Sequence, residues 1–425
     1  MIRPTPLWRS VAVLGVAGIM LTACGGSSDT ASTSDKTPAA SDSGAAKKGD
    51  GTLKIGTLLP QTGSLAFLGP PEFAGVDLAI KDINDAGGVN GKQVEKVDSD
   101  SGDTSTDTAS QSVDRLLSNN VDAIVGAASS SVSLSVIDKI TSNGVLQISP
   151  ANTSDELTDY ADKGLYFRTA PPDVLQGRVL GDLILADGNT TVGILALQDS
   201  YGTGLAANAE KAITDGGGQV VEKVVYDPKA ASFATEVGKI KAADPEAIAV
   251  IAFDETKKII PELVKQGIGP ANKKIYFVDG NLANYDKDLP KGTLEGVKGT
   301  LPGVVAGDEF KARLTALKPD LSEFAYSPES YDATVLVALA AQAAGDDSGE
   351  SIASKMQEVS EGGTVCESFK DCLALLKDGK DIDYNGVSGP VEFNDKGDPS
   401  KATIGIYQYG ADNKYTFVEG KDGEI

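Results

Sequence analysis

Histidine is absent from all 425 residues. That absence removes Ser-His-Asp and Cys-His catalysis, and most transition-metal sites, because each needs an imidazole as base or ligand. Chemistry built on lysine or carboxylates stays open. Cysteine is almost as scarce, with only Cys24, Cys366 and Cys372. Basic charge is outnumbered: 38 Lys and Arg stand against 61 Asp and Glu, a formal net charge of −23. So acidic a surface argues against nucleic acid or an anionic membrane face as partner. No G-x-G-x-x-G follows a strand-like run, and the nearest phosphate-loop string, GGVNGKQ, ends in Gln93 and follows a helix. Nucleotide binding is unsupported, and no metal or other cofactor is expected.

What is present begins with a leader. Arg3 and Arg9 flank the start of a chain whose apolar run, Val11 to Leu21, is too short to span a membrane. Residues 1–23 read as a secretory signal. Their end, LTAC, resembles the bacterial lipobox, which implies cleavage before Cys24 and lipidation of that cysteine. A chance cysteine ending a leader is the alternative. Residues 24–51 carry almost no large apolar side chain, so they cannot offset chain entropy and should form a flexible tether. The folded part is thus expected at the outer face of the cell membrane, held by lipid alone. Cys366 and Cys372, an even pair in an exported chain, are expected to form a disulfide, with two free thiols as the alternative.

From residue 52, short apolar runs alternate with helical ones. LKIGTLL reads as a strand, followed by a helix with Phe73, Val76, Ala79, Ile80 and Ile83 on one face and Gly87 at its stop. VDAIVG, GVLQIS, TVGILAL, QVVEKVVY, AIAVIAF and KIYFVDG continue the strand series, with helical stretches between them. This βαβ punctuation predicts an α/β fold with parallel sheets, and the length favours two lobes. The natural breaks lie at Pro171–Pro172 and near Gly299 to Gly303.

In doubly wound sheets, ligands gather at the carboxyl ends of strands, where helix N-termini present free N–H groups. One such end is GAASSSVS, with Ser129, Ser130 and Ser131 in a row. Hydroxyls beside a helix N-terminus suit a carboxylate, and an unpaired Asp after another strand suits an ammonium. Together they describe a site for a zwitterion. Plain helix capping is the competing reading for each serine.

The strings IGTLLPQTGSLAFLG, GVDLAIKDINDAGGVNGK, VGAASSSVS, ISPANTSDEL, FRTAPPD, DSYGTGLA and GVSGPVEFNDKGD, in this order, carry a resemblance. The chain resembles the substrate-binding proteins of branched-chain amino-acid ABC transporters, the Leu/Ile/Val-binding family with the type I periplasmic binding protein fold. The resemblance implies two doubly wound parallel-sheet lobes, joined by three crossovers, that close like a clam. Lobe 1 would hold residues 51–171 and 300–402, and lobe 2 residues 172–299 and 403–425. It implies that Ser130 and Thr153 grip the ligand carboxylate, that the Ala151 carbonyl and Asp279 take the ammonium, and that Tyr201 closes over the ligand. Phe253 falls near another aromatic wall position. Leu68, next to Phe67, stands where well-known members carry a tyrosine, and Ser129 where some carry a cysteine, so the side-chain pocket departs from the pattern. The function implied is capture of a free amino acid by a monomer, with delivery to an ABC permease and no catalysis. The alternatives are a sensor domain for a membrane signalling partner and a binder of a short-chain amide. A serine hydrolase would lack a histidine base.

Overall fold

A computed structural model describes residues 48–425. The expected leader, the lipidation site at Cys24 and most of the tether lie outside the described residues. The Gly49 and Gly51 N–H groups donate to Asp346 and Asp347, so the folded part begins slightly before the expected end of the tether.

Apolar runs bounded by turns become strands buried on both faces, as parallel sheets covered by helices require. In the first sheet β1 (Lys54–Leu59), β2 (Glu95–Asp100), β3 (Ala123–Gly126), β4 (Leu146–Ser149) and β5 (Tyr166–Arg168) lie in the order β2-β1-β3-β4-β5, all parallel. The second sheet contains β6 (Thr191–Leu197), β7 (Gln219–Tyr226), β8 (Ala247–Ile251), β9 (Lys274–Phe277) and β10 (Lys298–Pro302). A small third sheet holds β11 (Thr364–Cys366), β12 (Ile382–Gly386) and β13 (Gly389–Pro390). Finally β14 (Lys401–Tyr409) and β15 (Tyr415–Glu424) return to the second sheet, whose order is β15-β14-β10-β9-β8-β6-β7. There β6 to β10 are parallel, while β14 and β15 run antiparallel at one edge.

The chain therefore crosses between the two large sheets three times: after β5, after β10 and before β14. β10 belongs wholly to the second sheet, so the middle crossing follows Pro302 instead of Gly299. β14 likewise joins that sheet from Lys401, just before the expected 402/403 break. Cys366 and Cys372 form the expected disulfide.

A fully buried ion pair ties the first and third crossings. Arg168, at the end of β5, donates from Nε to Asp398 at 2.6 Å, from Nη1 to the Ser154 carbonyl at 2.8 Å and from Nη2 to Thr158 Oγ1 at 2.7 Å. Thr158 in turn donates to the other Asp398 oxygen at 2.7 Å.

The helix Ser327–Ala344 is buried at every position from Ser327 to Ala341, which explains why it shows no polar face. It lies close against the helix Gly69–Asp85, where a Cβ on Gly75 would sit 2.3 Å from the Ser327 carbonyl oxygen. Two acids are buried here, Glu72 and Glu329. Both Glu72 carboxyl oxygens and Glu329 Oε1 lack a hydrogen-bond partner among the described residues. Burial, and then the neighbouring Glu329 charge, raise Glu72 well above the usual carboxylate range. Burial pushes Glu329 up to about 8 from an ordinary 4.5.

The sign of the linkage follows. The unfolded chain releases the Glu329 proton above 4.5, whereas the folded chain keeps it until about 8. Glu329 therefore costs stability progressively across that window. Glu329→Gln is expected to be more stable than the parent at pH 8, by up to a few kcal/mol, with the gain vanishing near pH 4. Urea unfolding at both pH values checks this; an equal difference at each would refute it.

Candidate functional site

Strand ends from both large sheets contribute to one cleft. After β1 come Leu65 and Leu68, after β3 Ala128 to Ser130, and after β4 Ala151. From the second sheet, Tyr201 follows β6, Phe253 follows β8, and Asp279 with Gly280 follows β9. Carboxyl ends of parallel strands are where the backbone leaves the ladder with its polar groups free to meet a ligand. Only about 10 Å³ of the cleft has room for the centre of a water molecule. As it stands, the cleft is shut.

Hydrogen bonds across the rim hold it shut. Ser131 Oγ donates to Asp199 at 3.1 Å and lies 2.9 Å from Ser200 Oγ. Asn208 Nδ2 donates to Asp155 at 2.6 Å. The three serines thus divide their work. Ser129 caps the helix Ser130–Ser142, accepting from the Val132 N–H, while also lining the cleft. Ser130 faces the cleft, and Ser131 bridges to the second sheet instead of capping.

On the first-sheet side, Ser130 Oγ accepts from the Thr153 and Ser154 N–H groups, both at 3.2 Å. A hydroxyl that accepts twice still has one proton to donate. The Thr153 N–H, expected to meet a ligand carboxylate, is thus given to Ser130. The Thr153 hydroxyl is buried; it meets no partner in full hydrogen-bond geometry among the described residues, but lies beside the Asp173 carboxyl, whose ionised form it favours. Ala151 lines the cleft, its N–H held by Ser149 Oγ at 3.2 Å.

On the opposite side stands Asp279, 5 % exposed. Its Oδ1 accepts from the Tyr201 hydroxyl at 2.6 Å and from Gln176 Nε2 at 2.9 Å. Its Oδ2 accepts from the Tyr326 hydroxyl at 2.7 Å. All three donors are neutral. Burial raises the Asp279 carboxyl above its ordinary range, opposed by those three hydrogen bonds. Tyr201 stacks on Phe253 with ring centroids 5.4 Å apart, forming a flat aromatic wall beside the acid.

A second acid lies behind it. Asp173 opens the helix Asp173–Ala186, is fully buried, and its N–H donates to the Thr153 carbonyl at 2.6 Å. Neither of its carboxyl oxygens has a partner among the described residues. Burial and then the Asp279 charge push it well up. The cleft therefore joins hydroxyl donors around Ser130 to the buried Asp279 across from them, with no lysine or arginine in its lining among the described residues.

Of the residues singled out from sequence, Leu68, Ser129, Ser130, Ala151, Tyr201, Phe253 and Asp279 line this space, and Thr153 adjoins it through Ser130. Phe67 does not: it is half-buried against the neighbouring apolar core, and Leu65 takes the wall position. Sequence reasoning missed Tyr326, Gln176 and Asp173. Tyr326 sits in a left-handed turn, φ 58°, just ahead of Pro328 at a helix start. An aromatic residue ahead of a Ser-Pro helix start at the edge of the second crossing was the available signal.

Comparison with known proteins agrees with this architecture. A family model described as periplasmic binding protein matches residues 52–372. A Leu/Ile/Val-binding protein homolog of Brucella abortus is 27% identical over 378 residues, covering 86% of this chain and 93% of that protein. A branched-chain amino acid transporter substrate binding protein of Streptococcus pneumoniae, solved with isoleucine, superposes with TM-score 0.72 at 22% identity, covering 88% of this chain and 100% of that one. A solute binding protein of R. palustris, solved with benzoate, gives TM-score 0.70 at 17% identity, covering 88% and 97%. These are solute-binding proteins and not enzymes, and the matched residues contain every strand end that lines the cleft. The chain belongs to the periplasmic binding protein family.

Proposed function

We propose that this protein is an extracytoplasmic receptor that captures a free amino acid by closing its two lobes and hands it to an ABC importer. It acts as a monomer, tethered to the outer face of the membrane through a lipid on Cys24. The observation that carries the reading is Asp279: a buried carboxylate with three neutral donors and no cation, facing hydroxyls across the cleft. An ionised acid in such a place gains most from a cation brought by the ligand. The hydroxyls of Ser130 and Thr153 provide for the carboxylate of the same molecule.

Two relatives give the alternatives to weigh for the ligand. The Streptococcus pneumoniae protein was solved with isoleucine and the R. palustris protein with benzoate, so the fold admits both an amino acid and a plain aromatic acid. Benzoate has no ammonium to offer Asp279 and would meet two buried acids unpaired. The aliphatic wall of Leu65, Leu68 and Ala128 favours a small or aliphatic side chain.

A thermal-shift screen of the natural amino acids alongside benzoate tests this. A ligand that binds only the native state raises Tm. Aliphatic amino acids are expected to raise it and benzoate to leave it unchanged; a shift with benzoate alone would refute the assignment.

A further inference from the structure

A second cavity, about 580 Å³, lies among the three crossings and shares no residue with the cleft. Thr169 lines it from the first crossing, Gly303 from the second and Lys401 from the third. Its size is that of a small-molecule site. Glu329 stands in its wall, 2 % exposed, with Oε1 unpartnered among the described residues. That oxygen fills the position a side chain would need at Gly303, where a Cβ would come within 1.8 Å of it and φ is +97°. Asp422 and Glu424 stand at the exposed rim, and Val304 and Val391 supply apolar wall. The one lysine in the lining, Lys401, is paired with Glu392 at 3.2 Å.

We propose that this cavity is a second ligand site, for a small aliphatic amine whose ammonium pairs with Glu329 and whose carbon chain lies along Val304 and Val391. One buried carboxyl among apolar walls suits an alkylammonium. A metal ion would need several such ligands, and no group of three His, Cys, Asp or Glu placed to hold one occurs among the described residues. An anion would meet Glu329 in the wall and Asp422 and Glu424 at the rim, against one lysine already paired with Glu392. Because the walls belong to both lobes, the cavity changes shape as the lobes move, so its occupant is thermodynamically coupled to the cleft.

The Glu329 carboxyl binds the amine by giving up the proton that burial holds there to about 8. The other ionisable groups facing it are Glu72, Asp332, Tyr326 and Tyr407, with Lys401, Asp422 and Glu424 at the rim. Two cations stand at that rim and both are engaged: Lys401 pairs with Glu392, and the exposed Arg178 donates from Nη2 to the Glu424 carbonyl at 3.2 Å.

Calorimetric titration of the full chain with 1,5-diaminopentane tests the site. The expected result is saturable binding that is tighter at pH 8.5 than at pH 6.5. It should weaken at least tenfold in Glu329→Gln and severalfold in the exposed rim variant Asp422→Lys, and persist in Asp279→Ala, whose lesion is in the cleft. Amino-acid affinity of Glu329→Gln, without amine, should stay within about twofold of the parent. Absence of saturable heat at pH 8.5, or binding that survives Glu329→Gln and Asp422→Lys but is lost in Asp279→Ala, would overturn the proposal. The second outcome would place the amine in the cleft. Because the amino-acid titration is separate, failure of this site leaves the reading of the cleft standing.

Discussion

Asp279→Ala is expected to weaken amino-acid binding by about 30-fold or more while leaving the protein folded. The carboxylate is 5 % exposed, and a ligand ammonium brought beside it is stripped of water on closure. Removing one partner of a desolvated charge pair costs about 2–5 kcal/mol, much of it the penalty of leaving the other charge unpaired. At 1.4 kcal/mol per factor of ten, the lower end of that range is already a large loss. The substitution also strands the Tyr201 and Tyr326 hydroxyls and the Gln176 amide, each now donating to that carboxylate. Asp279→Asn separates the two effects. Its carbonyl keeps an acceptor for the Tyr201 and Gln176 donors but has no charge for the ammonium, so it should lose nearly as much affinity. Calorimetry on both variants checks this, with far-UV circular dichroism as the folding control. Unchanged affinity in Asp279→Asn would show that the ammonium lies elsewhere.

Arg168→Ala should produce the largest loss of stability among single substitutions in the hinge region. Arg168 and Asp398 are both out of water, and the guanidinium is fully buried. Removing one member leaves the other buried without its counter-charge, a cost of about 3–5 kcal/mol. It also frees the Ser154 carbonyl and the Thr158 hydroxyl that the guanidinium holds. Asp398→Ala should cost a similar amount, and the double variant less than the sum, because the second removal relieves the stranded charge of the first. Urea unfolding of the set measures these energies. Strict additivity would mean the pair contributes nothing as a pair.

Most of the strands that were legible in the sequence are buried on both faces; the edge strand β7 was read instead from its run of valines. β1, β3, β6 and β8 are near-continuous apolar runs because helices cover both sides of their sheets. β2, EKVDSD, escaped because it is a largely half-exposed edge strand, and β5 because it is three residues long. The cleft was legible to the same extent. Ser130, Ala151, Tyr201 and Asp279 follow strands recognisable by their apolar runs, so strand position places them. Tyr326, Gln176 and Asp173 come from helix starts beside the crossings, and nothing local says that those helices end at the ligand. Loop register was equally hidden: Phe67 and Leu65 are both apolar, and only the turn between β1 and the following helix decides which one points inward. Among the serines, composition could not say which would cap and which would bridge. The answer depends on where Asp199 and Ser200 arrive from the other sheet.

The central claim is that Asp279 pays its desolvation with the ammonium of a ligand whose carboxylate lies on Ser130 and Thr153. Its most direct test is calorimetric comparison of the best-binding amino acid with its desamino analogue, which has the same side chain and carboxylate but no nitrogen. The account predicts that the analogue binds the parent protein more weakly, by about 30-fold or more, and that this gap narrows to a few-fold in Asp279→Ala. Equal affinity of the parent for the two molecules would contradict it.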